Sequence, residues 1–302
     1  MKKALLQVHI SVLLAGFTGP LGRLIHLNEF VLVWYRLMFT SVTLVVILLF
    51  TGRMSLLSPK DFLRHALAGL LIGLHWILFF GSIQYSNVSI ALVCFSSTSL
   101  FTALLEAPLL KSRFDPAEIW LSLLAIAGIF IVFHFNSGFR LGMALGLGSA
   151  VLAACFTILN KSLVAGLPAI TVTTYELSFG FLWITLLLPV FLKWFPKSSM
   201  VPTLPDLGYL LFLSWACTVL AFTLMVNALK KVSSFTTNLS LTLEPVYGIL
   251  LAFLLFGENK QFNLWFYPGI GLIFLSVLLQ MKRLLRKGNG KGSTAGQEIL
   301  TG

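Results

Sequence analysis

Residues 240–258 read "SLTLEPVYGILLAFLLFGE". Most of this run would be accepted by a lipid bilayer, yet Glu244 and Pro245 stand inside it. Glu244 lies 13 residues from Lys231 and 14 from Glu258, so a helix spanning 234–256 would carry a carboxylate near the bilayer midplane. Keeping a charge at the centre of a spanning helix costs about 2.5–3.5 kcal/mol on insertion scales. Neutralising a carboxyl of ordinary pKa 4.3 at pH 7 costs roughly 3.7 kcal/mol. The two are close enough for a modest change of surroundings to tip the balance. Thr237, Ser240, Glu244 and Tyr247 share one face at helical spacing. Pro245 frees the carbonyl of Leu241, which is tolerated only against protein or a wet cavity. The expectation is a cavity-facing carboxylate at a helix hinge, against the alternative of a neutral packing glutamate.

The rest of the chain has the same solvent preference. It is 58% hydrophobic and 10% charged, with a mean hydropathy of +0.95. A soluble domain carries about 25% charged residues, so lipid is the solvent that fits. The net charge of +11 sits in short clusters between apolar runs rather than on one basic face, which argues against a nucleic-acid partner. Cys94, Cys155 and Cys217 fall in apolar segments without CxxC spacing, so neither a disulfide framework nor a metal site is expected. No cofactor is expected. HExxH, GxSxG, P-loop and GxGxxG motifs are absent, and "GLGSA" (146–150) lies within a span, so an enzyme is not expected either.

A span needs about 20 mostly apolar residues. Ten segments qualify, at roughly 4–22, 30–51, 62–83, 88–110, 116–135, 141–164, 170–192, 206–228, 234–256 and 263–281. With the N-terminus inside, and with Arg64 and Lys161 counted at the inner ends of their spans, fifteen Lys and Arg fall on the cytoplasmic side and five outside, leaving Arg36 as the one unassigned. This bias puts both termini in the cytoplasm. The surroundings fit a multi-pass protein of a bacterial cytoplasmic membrane. Residues 282–302 read as a basic, disordered cytoplasmic tail.

The halves resemble each other. "WYRLMF" (34–39) opens the second span and "TYELSF" (174–179) the seventh. "LAGFTGPLGR" (14–23) matches "AACFTILNKS" (153–162), and "AIAGIFIVF" (125–133) matches "PGIGLIFLS" (268–276). The expected division is a first five-helix repeat at 1–138 and a second at 139–281. Five is odd, so the second copy is inverted in the membrane. Such a design places a solute site near the midplane between repeats and permits alternating access. The fold class expected is an all-α membrane protein of ten transmembrane helices.

This pattern resembles the EamA-type branch of the drug/metabolite transporter superfamily. "LKKVSSFTTNLSLTLEPVYGILLAFLLFGE" (229–258) is similar to that family's ninth span, with Glu-Pro inside and Phe-Gly-Glu at its end, and Arg36 matches the arginine of its second span. The first half departs from the pattern, with Thr98 where the second half has Glu244, and Glu106 displaced along the helix. The resemblance implies export of a small metabolite, often an amino acid or related compound, by a carrier with or without proton linkage. Two alternatives stand beside it: a phosphate-antiport or nucleotide-sugar carrier, which needs cavity-facing Lys or Arg, and a non-transporting membrane protein. Partners expected are a small-molecule metabolite, the lipid bilayer and protons; monomer and homodimer are both left open.

Charged and polar groups in spans are candidate sites by default. His75, with Trp76 and Phe79 beside it, is central in the third span. Ser99, Thr102 and Glu106 lie on one face of the fourth, and Asn238, Ser240, Glu244 and Tyr247 are in the ninth. These are the expected substrate-binding or coupling residues. Arg36, Lys161 and Glu176 are expected to form structural ion pairs: Glu176 with Lys161 across the hairpin between spans six and seven, and Arg36 with Glu29, or else snorkelling outward.

Overall fold

The structure of the chain is a computed structural model. The structure describes residues 2–52, 57–110, 137–163, 168–195, 199–221 and 243–276, with scattered positions of 117–131 and of 223–224 and 278–283. The described residues form helices and connections without a strand. In chain order the helices are α1 (Lys2–Gly16), α2 (Thr18–Leu24), α3 (Glu29–Thr51), α4 (Pro59–Tyr85), α5 (Val88–Phe95) and α6 (Thr98–Leu110). After them come α7 (Arg140–Leu163), α8 (Ala169–Trp194), α9 (Leu204–Ser214), a π-helical turn (Trp215–Leu220), α10 (Glu244–Phe256) and α11 (Phe266–Ser276).

Five helical stretches among the described residues are long and apolar enough to cross a membrane: Glu29–Thr51, Pro59–Tyr85, Val88–Glu106, Arg140–Asn160 and Ile170–Trp194. Leu204–Leu220, Glu244–Phe256 and Phe266–Ser276 are shorter apolar helices. The first part of the ninth expected span, most of the fifth, and residues 284–302 of the tail lie outside the described residues.

Local chemistry sets the helix ends. Asn28 accepts from the Phe30 N–H at 2.9 Å and starts α3, and Ser58 accepts from the Asp61 N–H at 3.2 Å at the head of α4. Thr203 and Asp206 close a reciprocal capping box on α9. Gly52 and Gly257, both at φ 62°, end α3 and α10 in the left-handed region that favours glycine. Glu258, just past α10, receives the N–H groups of Val88 and Ser89 at 3.0 and 2.8 Å, satisfying the open donors of α5.

Two expected spans are interrupted. The first breaks at Phe17, between α1 and α2. The fourth breaks at Ser96–Ser97, between α5 and α6. There Ser96, Ser97 and Thr98 each donate to the carbonyl three residues back, at 2.7, 2.5 and 2.6 Å. Side chains that bind their own backbone this way compete with the helix ladder.

The halves interleave. α4 packs against α7 and α8, α3 against α8 and α9, and α10 against α1 and α5. Among the close helix crossings are one of α4 on α8 and another of α1 on α10. A Cβ added at Gly69 of α4 would lie 2.6 Å from both the Glu176 carbonyl oxygen and the Gly180 amide of α8. Backbone cannot yield as a flexible side chain can, so Gly69→Ala should destabilise the protein by about 1–3 kcal/mol, the usual cost of overpacking. A thermal-unfolding midpoint unchanged from wild type in purified Gly69→Ala protein would contradict this packing. At the other crossing, a Cβ on Gly16 would lie 2.9 Å from that of Tyr247 and 3.5 Å from the Glu244 carbonyl oxygen, so α1 sits directly on the first turn of α10.

Candidate solute cavity

A cavity of about 290 Å³ opens where α1, α2, α3, α4, α5, the π-helical turn and α10 converge. Arg36, His75, Trp76, Phe95, Cys217 and Glu244 are among the side chains on its wall. A larger crevice of about 510 Å³ lies between α2, α9 and α10, but Tyr209 is its only polar side chain, so it offers little to orient a solute. The smaller cavity carries the chemistry.

Arg36 is its most constrained member. It is 3% exposed, its guanidinium carbon stands 3.8 Å from the centroid of the Trp76 ring, and Phe80 lies beyond at 5.9 Å. Nε and Nη2 both donate to Thr218 Oγ1, at 3.3 and 3.1 Å. Nη1 is buried without a hydrogen-bond partner. A guanidinium has five N–H donors and no acceptor, so a buried bare nitrogen is an open position for an anionic group.

The π-helical turn makes this possible. Its wider winding lets Thr218 donate to the Leu213 carbonyl five residues back at 3.0 Å, while its lone pairs face Arg36. π-turns of this kind are frequent at functional sites. Ser214, just before the turn, donates to the Arg36 carbonyl at 3.4 Å. The apolar sequence "WACTVL" gave no warning of it.

Among the described residues, Glu244 is the first residue of α10, with Pro245 in the first turn, where a missing N–H costs nothing. The positive end of a helix favours a carboxylate there, by about 0.3–1 kcal/mol and up to ~2 when partly buried. Glu244 and Arg36 both line the cavity, and the structure records no ion pair between them. The cavity thus holds a guanidinium and a carboxyl group on separate helices.

His75 is fixed from behind. Its Nδ1 lies 3.0 Å from the Ser149 carbonyl and 2.8 Å from Ser149 Oγ, and that hydroxyl in turn donates to the His75 carbonyl at 3.1 Å. A carbonyl only accepts, so Nδ1 carries the proton and the other ring nitrogen is an acceptor. The ring packs 5.4 Å from Phe95 and 6.3 Å from Phe79. "GLGSA" therefore supports the cavity from α7 through Ser149.

The expected residues divide as follows. His75, Trp76 and Glu244 meet in the cavity. Tyr247 packs outside it, against Val8 and Val12 of α1. Thr102 spends its hydroxyl on the Thr98 carbonyl at 2.8 Å, and neither it nor the half-buried Glu106 lines the cavity. The side chain of Ser99, and residues Asn238 and Ser240 entirely, lie outside what is described. Arg36 corrects its expectation: it faces the cavity instead of pairing with Glu29 or snorkelling. Glu176 takes the amide of Asn160 at 3.0 Å, and the side chain of Lys161 is not described. Ser11, Thr18 and Cys217 join the wall without having been singled out; their only sequence signal is small or polar character within apolar runs.

A ligand-sized pocket between two halves of an all-helical, multi-pass membrane protein is the architecture of a solute carrier. A sequence model of the EamA-like transporter family matches residues 2–134 and, a second time, 140–281. The chain belongs to the EamA-like transporter family. Among similar proteins, the uncharacterized transporter YetK of Bacillus subtilis is 27% identical over 208 residues, covering 65% of this chain and 62% of that protein's length. The uncharacterized transporter YwfM of the same organism is 26% identical, over 70% of this chain and 71% of its own. YxxF, also from B. subtilis and also named an uncharacterized transporter, is 22% identical over 98% of this chain and 94% of its own. A solved crystal structure shares the fold, with a TM-score of 0.61 and 17% identity over 94% of this chain and 99% of that one.

Proposed function

We propose that this protein is a secondary carrier that exports a small zwitterionic metabolite, an amino acid or related compound, by alternating access. The observation that carries the reading is the pair of opposite charges on separate walls of one small cavity: the bare nitrogen of Arg36 on α3 and the carboxylate of Glu244 on α10. The guanidinium takes the carboxylate of the solute, Glu244 takes its ammonium, and His75, Trp76, Phe79 and Phe95 face its apolar part. At about 290 Å³ the cavity is at the small end of ligand pockets, which usually span about 300–1,000 Å³. A phosphate-antiport or nucleotide-sugar carrier is the second reading, because Arg36 supplies the cavity-facing cation it requires. Glu244 across the same cavity repels a dianion, which favours the zwitterion.

In this reading ten spans form two inverted five-helix repeats in a bacterial cytoplasmic membrane. Counter-flow uptake into proteoliposomes, run across a panel of amino acids, amines and phosphorylated metabolites with and without a pH gradient, tests the proposal. Accumulation of a zwitterion supports it; uptake of phosphorylated compounds alone, or of nothing, defeats it. The charge bias adds a topological prediction. A cysteine placed in 193–205 should react with an impermeant maleimide only from outside, and one in 52–60 only from inside. The opposite pattern would reverse the orientation.

A further inference from the structure

Arg36 and Glu176 hold the same position in "WYRLMF" and "TYELSF", and the packing repeats around them. On α3 the carbonyl of Arg36 is met by Ser214 of α9; on α8 the carbonyl of Glu176 is met by Gly69 of α4. The two surroundings differ in one respect. Arg36 faces the cavity, whereas Glu176 is sealed: it is 2% exposed, Oε2 accepts from Asn160, and Oε1 is buried without a partner. Burying a carboxylate with one oxygen bare is costly, while the acid form gives Asn160 its carbonyl oxygen and keeps the proton on the other.

Among the described residues, the titratable groups along this seam are few. On α4, His65 is 1% exposed and its ring lies 6.0 Å from that of Tyr175 on α8. Its Nδ1 donates to the Asp61 carbonyl at 2.7 Å, which leaves Nε2 as a lone-pair acceptor, buried and without a partner. Arg64 lies 3.8 Å from Asp61 at the head of α4. On α7, Lys161 follows Asn160 in sequence. On α3, Arg36 points into the cavity.

The geometry points to Glu176 as a proton-carrying site separate from the solute cavity, closed by the α4–α8 crossing in this state and opened when the repeats exchange conformations. The inference rests on the alternating-access reading above. When Gly69 withdraws from Glu176, water enters and the O–H bond at Oε1 breaks. The proton leaves along the seam that holds the open nitrogen of His65, and its electron pair stays on the carboxylate. On return the carboxylate takes a proton back before the seam closes. Coupling and recognition of the solute's carboxylate are thereby assigned to different halves of the chain, Glu176 carrying the first and Arg36 the second.

Infrared spectroscopy of the purified protein tests the site without a transported solute. At neutral pH the wild type should show a protonated-carboxyl stretch with a component that resists deuterium exchange, because Glu176 is sealed. Glu176→Gln should remove that component, and Glu244→Gln, which changes a cavity-facing group, should leave it. A wild-type spectrum without the slow component, or one that survives in Glu176→Gln, overturns the proposal. Should Glu176→Gln fail to fold, Glu176→Asp carries the test: the slow component should move, and an unmoved band overturns the assignment. In proteoliposomes given a mixture of L-amino acids, the stimulation of uptake by a pH gradient should vanish in Glu176→Gln; its persistence overturns the coupling role. Absence of counter-flow in the wild type itself would instead defeat the carrier reading, and the coupling role with it.

Discussion

Arg36→Gln should yield a folded protein that no longer retains solute. Its guanidinium is buried, its fork is held by Thr218 and Trp76, and one nitrogen is left open to the cavity. Removing one partner from a buried, hydrogen-bonded charge pair costs about 2–5 kcal/mol. At about 1.4 kcal/mol per decade, this is a loss of affinity of roughly 30-fold to several-thousand-fold. Arg36→Lys should recover only part, because an ammonium keeps the charge but loses the planar fork and its stacking on Trp76. Binding isotherms on purified protein measure both variants. A Gln variant that binds as tightly as wild type would remove Arg36 from the site; one that fails to fold would make its role structural, through Thr218 and Ser214.

Glu244→Gln is the complementary experiment. The amide keeps the volume and most hydrogen bonding of the side chain while removing its negative charge, so the protein should fold. Transport should fall, because the solute's ammonium no longer meets an anion. The expected loss is again of the order of 2–5 kcal/mol if the contact is desolvated. Glu244→Ala would confuse the result, since it also alters packing beside Pro245 and Gly16. Wild-type rates and an unchanged pH profile in Glu244→Gln would reduce Glu244 to a packing residue and direct attention to His75.

The two charges were unequally legible. Glu244 announces itself, since a carboxylate near the middle of a long apolar run has few reasons to be there. Arg36 sits nearer a span end, where snorkelling is an inexpensive alternative, and only tertiary contact with a helix 182 residues later shows which way it turns. Long spans such as Glu29–Thr51 and Pro59–Tyr85 follow directly from apolar length and from the Asn28 and Ser58 caps. The breaks at Phe17 and Ser96–Ser97 do not, because hydropathy is indifferent to a hydroxyl that binds its own backbone. For the same reason Thr102 looked like part of a polar face: composition reveals a hydroxyl but not where its proton is already spent. The π-helical turn has no compositional signature, and Thr218 was therefore missed.

The bond from Glu258 to the head of α5 has a mechanical consequence. It ties the far end of α10 to the first residues of α5, and the two helices also pack along their lengths. They form one rigid strut, with Glu244 at the foot of one member and Phe95 at the foot of the other. In the alternating-access reading proposed above, load applied at Glu258 would arrive at both cavity walls together. The compliant joint would then be Ser96–Ser97, where the strut meets α6, and a gate built this way would move an aromatic wall and a carboxyl group in a single stroke.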